Sequence, residues 1–282
     1  MVNFDGVIGV LITTGVLLGM GYGMDLLSFS IVSLAINWIS AWGYAIPAHT
    51  ERFYDLTGAL TYIALLIMSL AQMDTFSLRS LLITGVSLLW CTRLGLFLAH
   101  RIHRAGGIDG RFDKVRDKPL PFLVWWNGQA IWCFVVIVPI LILNDRYVNV
   151  SWEWASTDTF GMIIWLVGFT IEVISDRQKS TFRAQREFAS DFISSGLWKY
   201  SRHPNYFGEI VLWVGVFLFC TREMTCTDVI LSCISPLFIE CLLVFVSGIP
   251  LLETSADEKW GSQEDYIQYK ASTPVLFPFI KF

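Results

Sequence analysis

Apolar residues fall in eight runs of roughly bilayer-spanning length. They lie at about Val7–Met24, Leu26–Ile46, Leu56–Met73, Ser80–Leu98, Leu120–Leu143, Phe160–Ile174, Asn205–Cys220 and Asp228–Ile249. Backbone amides in hydrocarbon must bond within their own segment, so each run predicts a helix. Only Asp25 separates the first two runs, which predicts a tight hairpin or one member that is not a true span. No basic signal-peptide region precedes Val7, so Val7–Gly23 is expected to remain as a span. The pattern predicts an all-α, polytopic transmembrane helix bundle of about seven or eight spans. No Pro- or Gly-rich linker, repeat or low-complexity stretch divides it, so residues 1–282 are read as a single membrane domain.

Composition agrees with that pattern. Hydrophobic residues make up 54% of the chain and charged residues 16%, against about 25% charge in soluble domains. The distribution of charge is more informative than the net value of −4. With the N-terminus and alternate loops on one side, all but four of the twenty Lys and Arg residues share that side. The exceptions are Arg79, Arg146 and Arg222 on the other side and Arg93 within a span. This asymmetry predicts that the basic side, including the C-terminus, is cytosolic. The expected setting is the endoplasmic reticulum in a eukaryote or the inner membrane in a bacterium. The six cysteines lie in or beside apolar runs without a CxxC pair, as small buried hydrophobes do. No nucleic-acid footprint, GxGxxG turn, P-loop or HExxH motif is present.

Five stretches carry chemistry. In GLWKYSRHPNYFGEIVLWVG, Asn205 and Glu209 lie four apart on a helix opened by Pro204, so they share a face able to bond an amide, ribose or amine. Lys199, Tyr200 and Arg202 suit an anionic group, although Trp198 and Lys199 alone read better as an interfacial anchor. In PAHTERFYDLTG, Glu51 and Tyr54 are candidate proton donors to a carbonyl, and Asp55 is a candidate helix N-cap. Between Arg93 and Asp117, Arg101 and Arg104 share a helical face and arginine density suits phosphate. Positive-inside charge accounts for Lys114, Arg116 and Lys118 equally well. His100 and His103 lack a third ligand at suitable spacing, so no metal site is assigned.

The fourth stretch, EVISDRQKSTFRAQR, puts Asp176, Lys179 and Arg183 on one face of a helix leaving the sixth span. An acid followed by two bases can hold a ribose hydroxyl and then phosphates, or can pair with itself. The fifth is the tail, Leu251–Phe282, read as an interfacial cap or as a cover for a cofactor. In the second reading Tyr266 or Tyr269 stacks on the cofactor and Lys270 meets phosphate.

The run LWKYSRHPNYFGEI resembles the C-terminal signature of the steroid 5-alpha-reductase and sterol-reductase superfamily. DRQKSTFR resembles its cytosolic helix, and ADEKWGSQEDYIQYKASTPVLFPFI its closing segment, so the likeness covers residues 172–282. With ERFYDLTGALTY and RLGLFLAHR, the chain is most similar to a branch with a steroid 5-alpha-reductase-like C-terminal domain. More distantly, isoprenylcysteine carboxyl methyltransferases and phospholipid N-methyltransferases share the RHPNY-type motif and use S-adenosylmethionine.

The resemblance implies a membrane enzyme that takes NADPH from the cytosol. Hydride passes to an activated C=C bond of a steroid- or lipid-like substrate arriving from the bilayer. It carries over Asp176, Arg183, Asn205 and Glu209 as cofactor contacts, then Arg104, Lys179, Arg202, His203 and Tyr206. It matches Glu51 to the glutamate that polarises a keto group, with Tyr54 or Arg101 beside it. The alternatives are an S-adenosylmethionine-dependent methyltransferase and a non-catalytic lipid-binding protein. In the methyltransferase, Glu209 holds the cofactor's amino group and His203 and Asn205 its carboxylate end. Arginine density favours the more anionic NADPH.

Overall fold

Where lipid offers no hydrogen bonds, the apolar runs close their amides on themselves, and helix is what the chain forms. In a computed structural model, residues 4–104, 106–186, 188 and 190–280 are described, and all regular structure among them is helical. Lys281, counted among the basic-side charges, and Phe282, the end of the tail, lie outside the described residues.

The elements in chain order are α1 (Phe4–Gly23), α2 (Leu27–Ser40), α3 (Tyr54–Ala71), α4 (Leu78–Arg104), α5 (Pro119–Val136) and α6 (Val138–Arg146). They continue with α7 (Ser156–Gln185), α8 (Pro204–Thr221), α9 (Cys226–Ser232), α10 (Ile234–Cys241), α11 (Ile249–Trp260) and α12 (Glu264–Ser272). Among the described residues, six helical stretches are long and apolar enough to cross a membrane. A seventh is added when α5 and α6, bent by 50°, are taken as one span. The chain is a multi-pass integral membrane protein.

Eight apolar runs thus give six or seven spans. Asp25, in left-handed conformation at φ 56°, turns the chain sharply after α1. The second run then yields 14 helical residues and a π-helical turn at Ala41–Ala45, and it is not among the spanning helices. The fifth run bends at Ile137, two residues before Pro139, whose missing N–H breaks the ladder. The eighth is helical from Cys226 to Trp260 with interruptions at Cys233, at a π-helical turn over Leu242–Val246 and at Ser247–Gly248.

The helices form two compact units, Met1–Trp152 with Met224–Ser232, and Glu153–Glu223 with Cys233–Phe282. In the first, α5 packs on α1, α2 and α3, and α3 packs on α4. Its interior carries polar pairs that the apolar pattern concealed. Asn127 accepts from the Trp38 indole at 2.7 Å and donates to Thr13 at 2.8 Å. Gln129 donates to Asn37 at 2.9 Å, and Asn37 donates to Thr61. Such bonds replace the water that a membrane interior lacks.

In the second unit, α7 and α8 lie antiparallel with their backbones in contact. Gly161 and Gly168 of α7 face Gly215 and Gly208 of α8. A Cβ built on Gly168 would stand 2.4 Å from the Leu212 amide nitrogen, and one on Gly215 would stand 2.4 Å from that of Trp165. Small residues here replace side-chain interdigitation with direct main-chain packing.

That seam yields the first prediction. Gly168→Leu or Gly215→Val should lower the stability of detergent-solubilised protein by about 1–3 kcal/mol or more, because the facing backbone cannot yield. Gly85→Ala, where nothing lies within 4 Å of the built Cβ, should be neutral or slightly stabilising. Equal thermal unfolding for all three variants would remove the seam from the account.

Candidate functional site

Each unit carries a half-buried charged cluster that includes sequence-predicted site residues. In the first, it joins the start of α3, the end of α4 and the loop that follows. Glu51, 2% exposed, accepts from Arg116 Nε at 2.5 Å, from Arg116 Nη2 at 2.6 Å and from the Asp109 amide at 2.6 Å. Asp55 takes Arg101 at 3.1 Å and Arg111 at 3.2 Å, and Arg111 also grips Asp109 at 2.7 Å. The hydrogen bond from Arg116 to Glu51 pushes the Arg116 pKa above its ordinary value. Burial alone would raise the Asp109 carboxyl, but Arg111 and then Arg101 outweigh it and hold the group below its usual range. Burial likewise opposes the charged form of Arg111, and Asp109 and Asp55 override it upward.

These pairings revise three sequence expectations. Asp55 is not the N-cap of α3: Phe53 occupies that position, and Asp55 is a salt-bridge acceptor. Arg116 is more than a positive-inside charge, since it holds Glu51 in a fork-to-fork pair. Arg101, Arg111 and Arg116 do not stand open for phosphate, because each is engaged by carboxylates. Tyr54, half-buried at the first position of α3, donates its hydroxyl to the Trp125 carbonyl at 2.8 Å. Arg104 ends α4 and is exposed. Among the described residues, no group of three His, Cys, Asp or Glu side chains is placed to hold a metal ion.

In the second unit, the glycine seam sets the geometry. Glu172 of α7 lies against Gly208 of α8, whose built Cβ would be 2.6 Å from the Glu172 amide. In that antiparallel register, Asp176, one turn further along α7, falls level with Pro204 and Asn205 at the start of α8. Glu172, Asp176 and Glu209 are all buried, and Asn205 is half-buried. Along the same α7 face, Lys179 lies over the Trp198 ring at 4.5 Å and Arg183 is exposed. The single helix expected for Asp176, Lys179 and Arg183 is present, and so is the α8 start at Pro204.

The turn before α8 is tied to the tail. Arg202 makes a two-point contact with Glu253 at 2.8 and 3.2 Å and donates to the Lys270 and Thr273 carbonyls. His203 Nε2 meets the same carboxylate at 2.9 Å, its ring stacks on Tyr206, and its Nδ1 is buried without a partner. Lys270 binds Asp257 at 2.5 Å, which also accepts from Tyr266. Tyr269 donates to the Trp198 carbonyl at 2.7 Å. Burial pushes both tyrosine hydroxyls up from their usual pKa. An open pocket of about 550 Å³ is lined by Arg202, Asp257, Tyr266, Ile267 and Lys270, among others.

Trp198 therefore does not sit in a headgroup belt. It is 3% exposed, and its indole donates to the Ser175 carbonyl at 3.1 Å. Glu253, the hub of the tail contacts, has no local sequence signal that sets it apart from the other acids of the tail. The seam did have a signal, glycines seven apart in both helices, which the apolar pattern masked.

The fold and its two clusters define a polytopic α-helical membrane protein with charged, partly buried sites at helix ends. The chain belongs to the family described as "Protein of unknown function (DUF1295)", whose model matches residues 41–273. It is homologous to 3-oxo-5-alpha-steroid 4-dehydrogenases, in keeping with the steroid-reductase superfamily. The type 1 protein of Bos taurus is 28% identical over 134 residues, covering 45% of this chain and 49% of the relative. The Homo sapiens type 1 protein is also 28% identical, over 137 residues and the same shares. "Uncharacterized protein C594.04c" of Schizosaccharomyces pombe is 21% identical over 229 residues, covering 67% of this chain and 64% of its own length. The matched part spans about half the length of the curated dehydrogenases. No solved structure matches the chain.

Two predictions follow from these contacts. Arg116→Met should cost about 3–5 kcal/mol, because it leaves the Glu51 carboxylate buried and uncompensated. Glu51→Gln in the same molecule should recover part of that loss. Lys114→Met, at an exposed site, should stay within about 0.5 kcal/mol. An Arg116 variant as stable as the parent would show the pair to be idle.

The other concerns acid. Burial pushes the His203 imidazole down, against the pull of Glu253, so below the free-imidazole pKa of about 6.5 the folded state binds fewer protons than the unfolded chain. The stability contributed by neutral His203 is full above that pH and is lost as pH falls below it. Melting temperature should drop on acidification from about pH 7 to about pH 5, and His203→Gln should flatten that part of the profile. An identical slope in the variant would assign the acid sensitivity to other groups.

Proposed function

We propose that this protein is an integral membrane oxidoreductase that transfers hydride from NADPH to an activated C=C bond of a lipid-soluble, steroid-like substrate. One observation carries the reading. The buried carboxyls Glu172, Asp176 and Glu209 end the glycine seam, and Lys179 and Arg183 follow outward on the same α7 face. Acceptors followed by cations suit a nucleotide with hydroxyls and an amide at one end and phosphates at the other. The orphaned His203 Nδ1 adds an acceptor able to take a proton from a ligand. The kinship with dehydrogenases acting on 3-oxo steroids supports the same class.

In this reading Glu209 and Asn205 orient the carboxamide end, Asp176 takes a ribose hydroxyl, and Lys179 and Arg183 face phosphate. Arg202, His203, Tyr206, Tyr266, Tyr269 and Lys270 shape and close the nucleotide site through the Glu253 and Asp257 contacts. Bound NADPH supplies a hydride to the electron-poor carbon. On the substrate side, Arg116 grips Glu51 through two hydrogen bonds, and Glu51 orients its neighbours. Arg101 has N–H groups beyond the one that meets Asp55 and polarises the conjugated carbonyl, Tyr54 O–H joins it on leaving the Trp125 carbonyl, and a proton from solvent completes the saturated product. The basic loops are assigned to the cytosol, where NADPH is available.

NADPH should protect the solubilised protein against heat, by roughly 2.7 kcal/mol at about 100-fold above its dissociation constant. S-adenosylmethionine should not. Arg183→Ala should weaken that protection while leaving the ligand-free melting temperature nearly unchanged, since an exposed helical arginine contributes little to stability. Protection by S-adenosylmethionine alone would replace the reductase reading with the methyltransferase one.

A further inference from the structure

Glu253 stands on α11 and is half-buried. Its Oε2 accepts from Arg202 Nη2 at 2.8 Å, and its Oε1 accepts from Arg202 Nε at 3.2 Å. Oε1 also meets His203 Nε2 at 2.9 Å, and Lys270 Nζ lies 3.5 Å from Oε2. A carboxyl whose two oxygens hold an arginine fork, with a lysine beside them, is ionised. It then has lone pairs only and no hydrogen to give.

That fixes the neighbouring ring. The contact at 2.9 Å requires the hydrogen to sit on His203 Nε2, and in a neutral imidazole Nδ1 is then bare. Burial favours the neutral ring. Nδ1 is itself buried and meets no donor. Turning the ring over would present a carbon to Glu253 in place of Nε2. Stacking on Tyr206, with centroids 5.6 Å apart and planes 9° apart, holds the ring in its plane. The backbone is held as well, because the His203 amide donates to Ser201 Oγ at 3.1 Å. His203 directly precedes Pro204 and Asn205, and Lys179 of α7 is close enough to oppose a charge on its ring.

We infer that Glu253 is a positioning residue for the nucleotide site: it reaches in from the tail and fixes His203 as the Nε2–H tautomer, so that Nδ1 offers a lone pair to an N–H or O–H of the nucleotide. The inference rests on the reading of the α7–α8 end as that site. It adds the polarity of the group that His203 takes. A bare nitrogen repels phosphate and carboxylate oxygens, and it suits a carboxamide or a ribose hydroxyl. It also makes the tail part of the site, since one carboxylate sets both Arg202 and His203.

The test reads the ring directly. The chain has four histidines, so imidazole nitrogen NMR of the full protein in detergent gives few signals, and His203→Gln identifies those of His203. Without ligand, the parent should show Nε2 protonated and Nδ1 bare. Glu253→Gln keeps the shape, but its amide can either give or take a hydrogen bond, so both tautomers should be populated. The same variant should bind NADPH about tenfold more weakly, the worth of one well-placed hydrogen bond. In the parent, NADPH should move the Nδ1 signal toward the hydrogen-bonded range, and inorganic phosphate at neutral pH should not. Protonated Nδ1 in the ligand-free parent would overturn the inference, and that spectrum decides even if Glu253→Gln does not fold. An unchanged tautomer in a folded Glu253→Gln would reduce Glu253 to a structural tie and overturn it equally. An Nδ1 signal unmoved by NADPH that does protect against heat would overturn the ligand assignment and leave the nucleotide reading intact. Absence of heat protection, with the Nε2–H form observed, would overturn the nucleotide reading and leave the role of Glu253 toward His203 standing.

Discussion

The main-chain contact between α7 and α8 is the constraint on which the second unit depends. Four glycines bring two apolar helices so close that no Cβ fits between them. That approach fixes the register and carries three carboxyl side chains, Glu172, Asp176 and Glu209, to one end of the pair. Carboxyls at such a place are costly without polar company. The turn at Gly196–Lys199, the Arg202–Glu253 contact and the tail helices supply structure around that end. Loosening the seam would therefore disturb every proposed nucleotide contact on α7 and α8 at once, without touching any of those side chains.

The first unit follows a different logic. Its apolar helices are specified by buried amide and hydroxyl pairs such as Asn127 with Thr13 and Gln129 with Asn37. At one end, charge gathers around Glu51 and Asp55. Of the arginines that made this region look like a phosphate site, Arg101, Arg111 and Arg116 are engaged by its acids. What remains distinctive is an aromatic cluster around the buried Phe112, which includes a tyrosine whose hydroxyl rests on a backbone carbonyl.

Much of this was legible in the sequence. Hydropathy gave the spans, and Pro204 gave the start of α8, because proline fits the first helical turn where its missing N–H is harmless. The period along Asp176, Lys179 and Arg183 gave one helical face. Other features could not be read from period or composition. Asp55 resembles an N-cap in sequence, and only the tertiary approach of Arg101 and Arg111 makes it an ion-pair partner. Arg116 lies 65 residues from Glu51, and nothing local marks the pairing. Trp198 reads as interfacial until the fold folds it onto Ser175. The shortened second run depends on a left-handed Asp25 and a π-helical turn, neither of which hydropathy registers.

The central claim is that hydride chemistry, rather than methyl transfer or passive lipid binding, is what this arrangement serves. The most direct measurement supplies the solubilised protein with a lipid extract of its own membrane, with NADPH deuterated at the transferable position, and in parallel with methyl-labelled S-adenosylmethionine. Mass spectrometry then locates the label. The account predicts deuterium on a saturated carbon of a lipid product, with transfer in a single turnover slowed sharply by Glu209→Gln. Label arriving from the methyl donor, or deuterium transfer at an unchanged rate in Glu209→Gln, would contradict it.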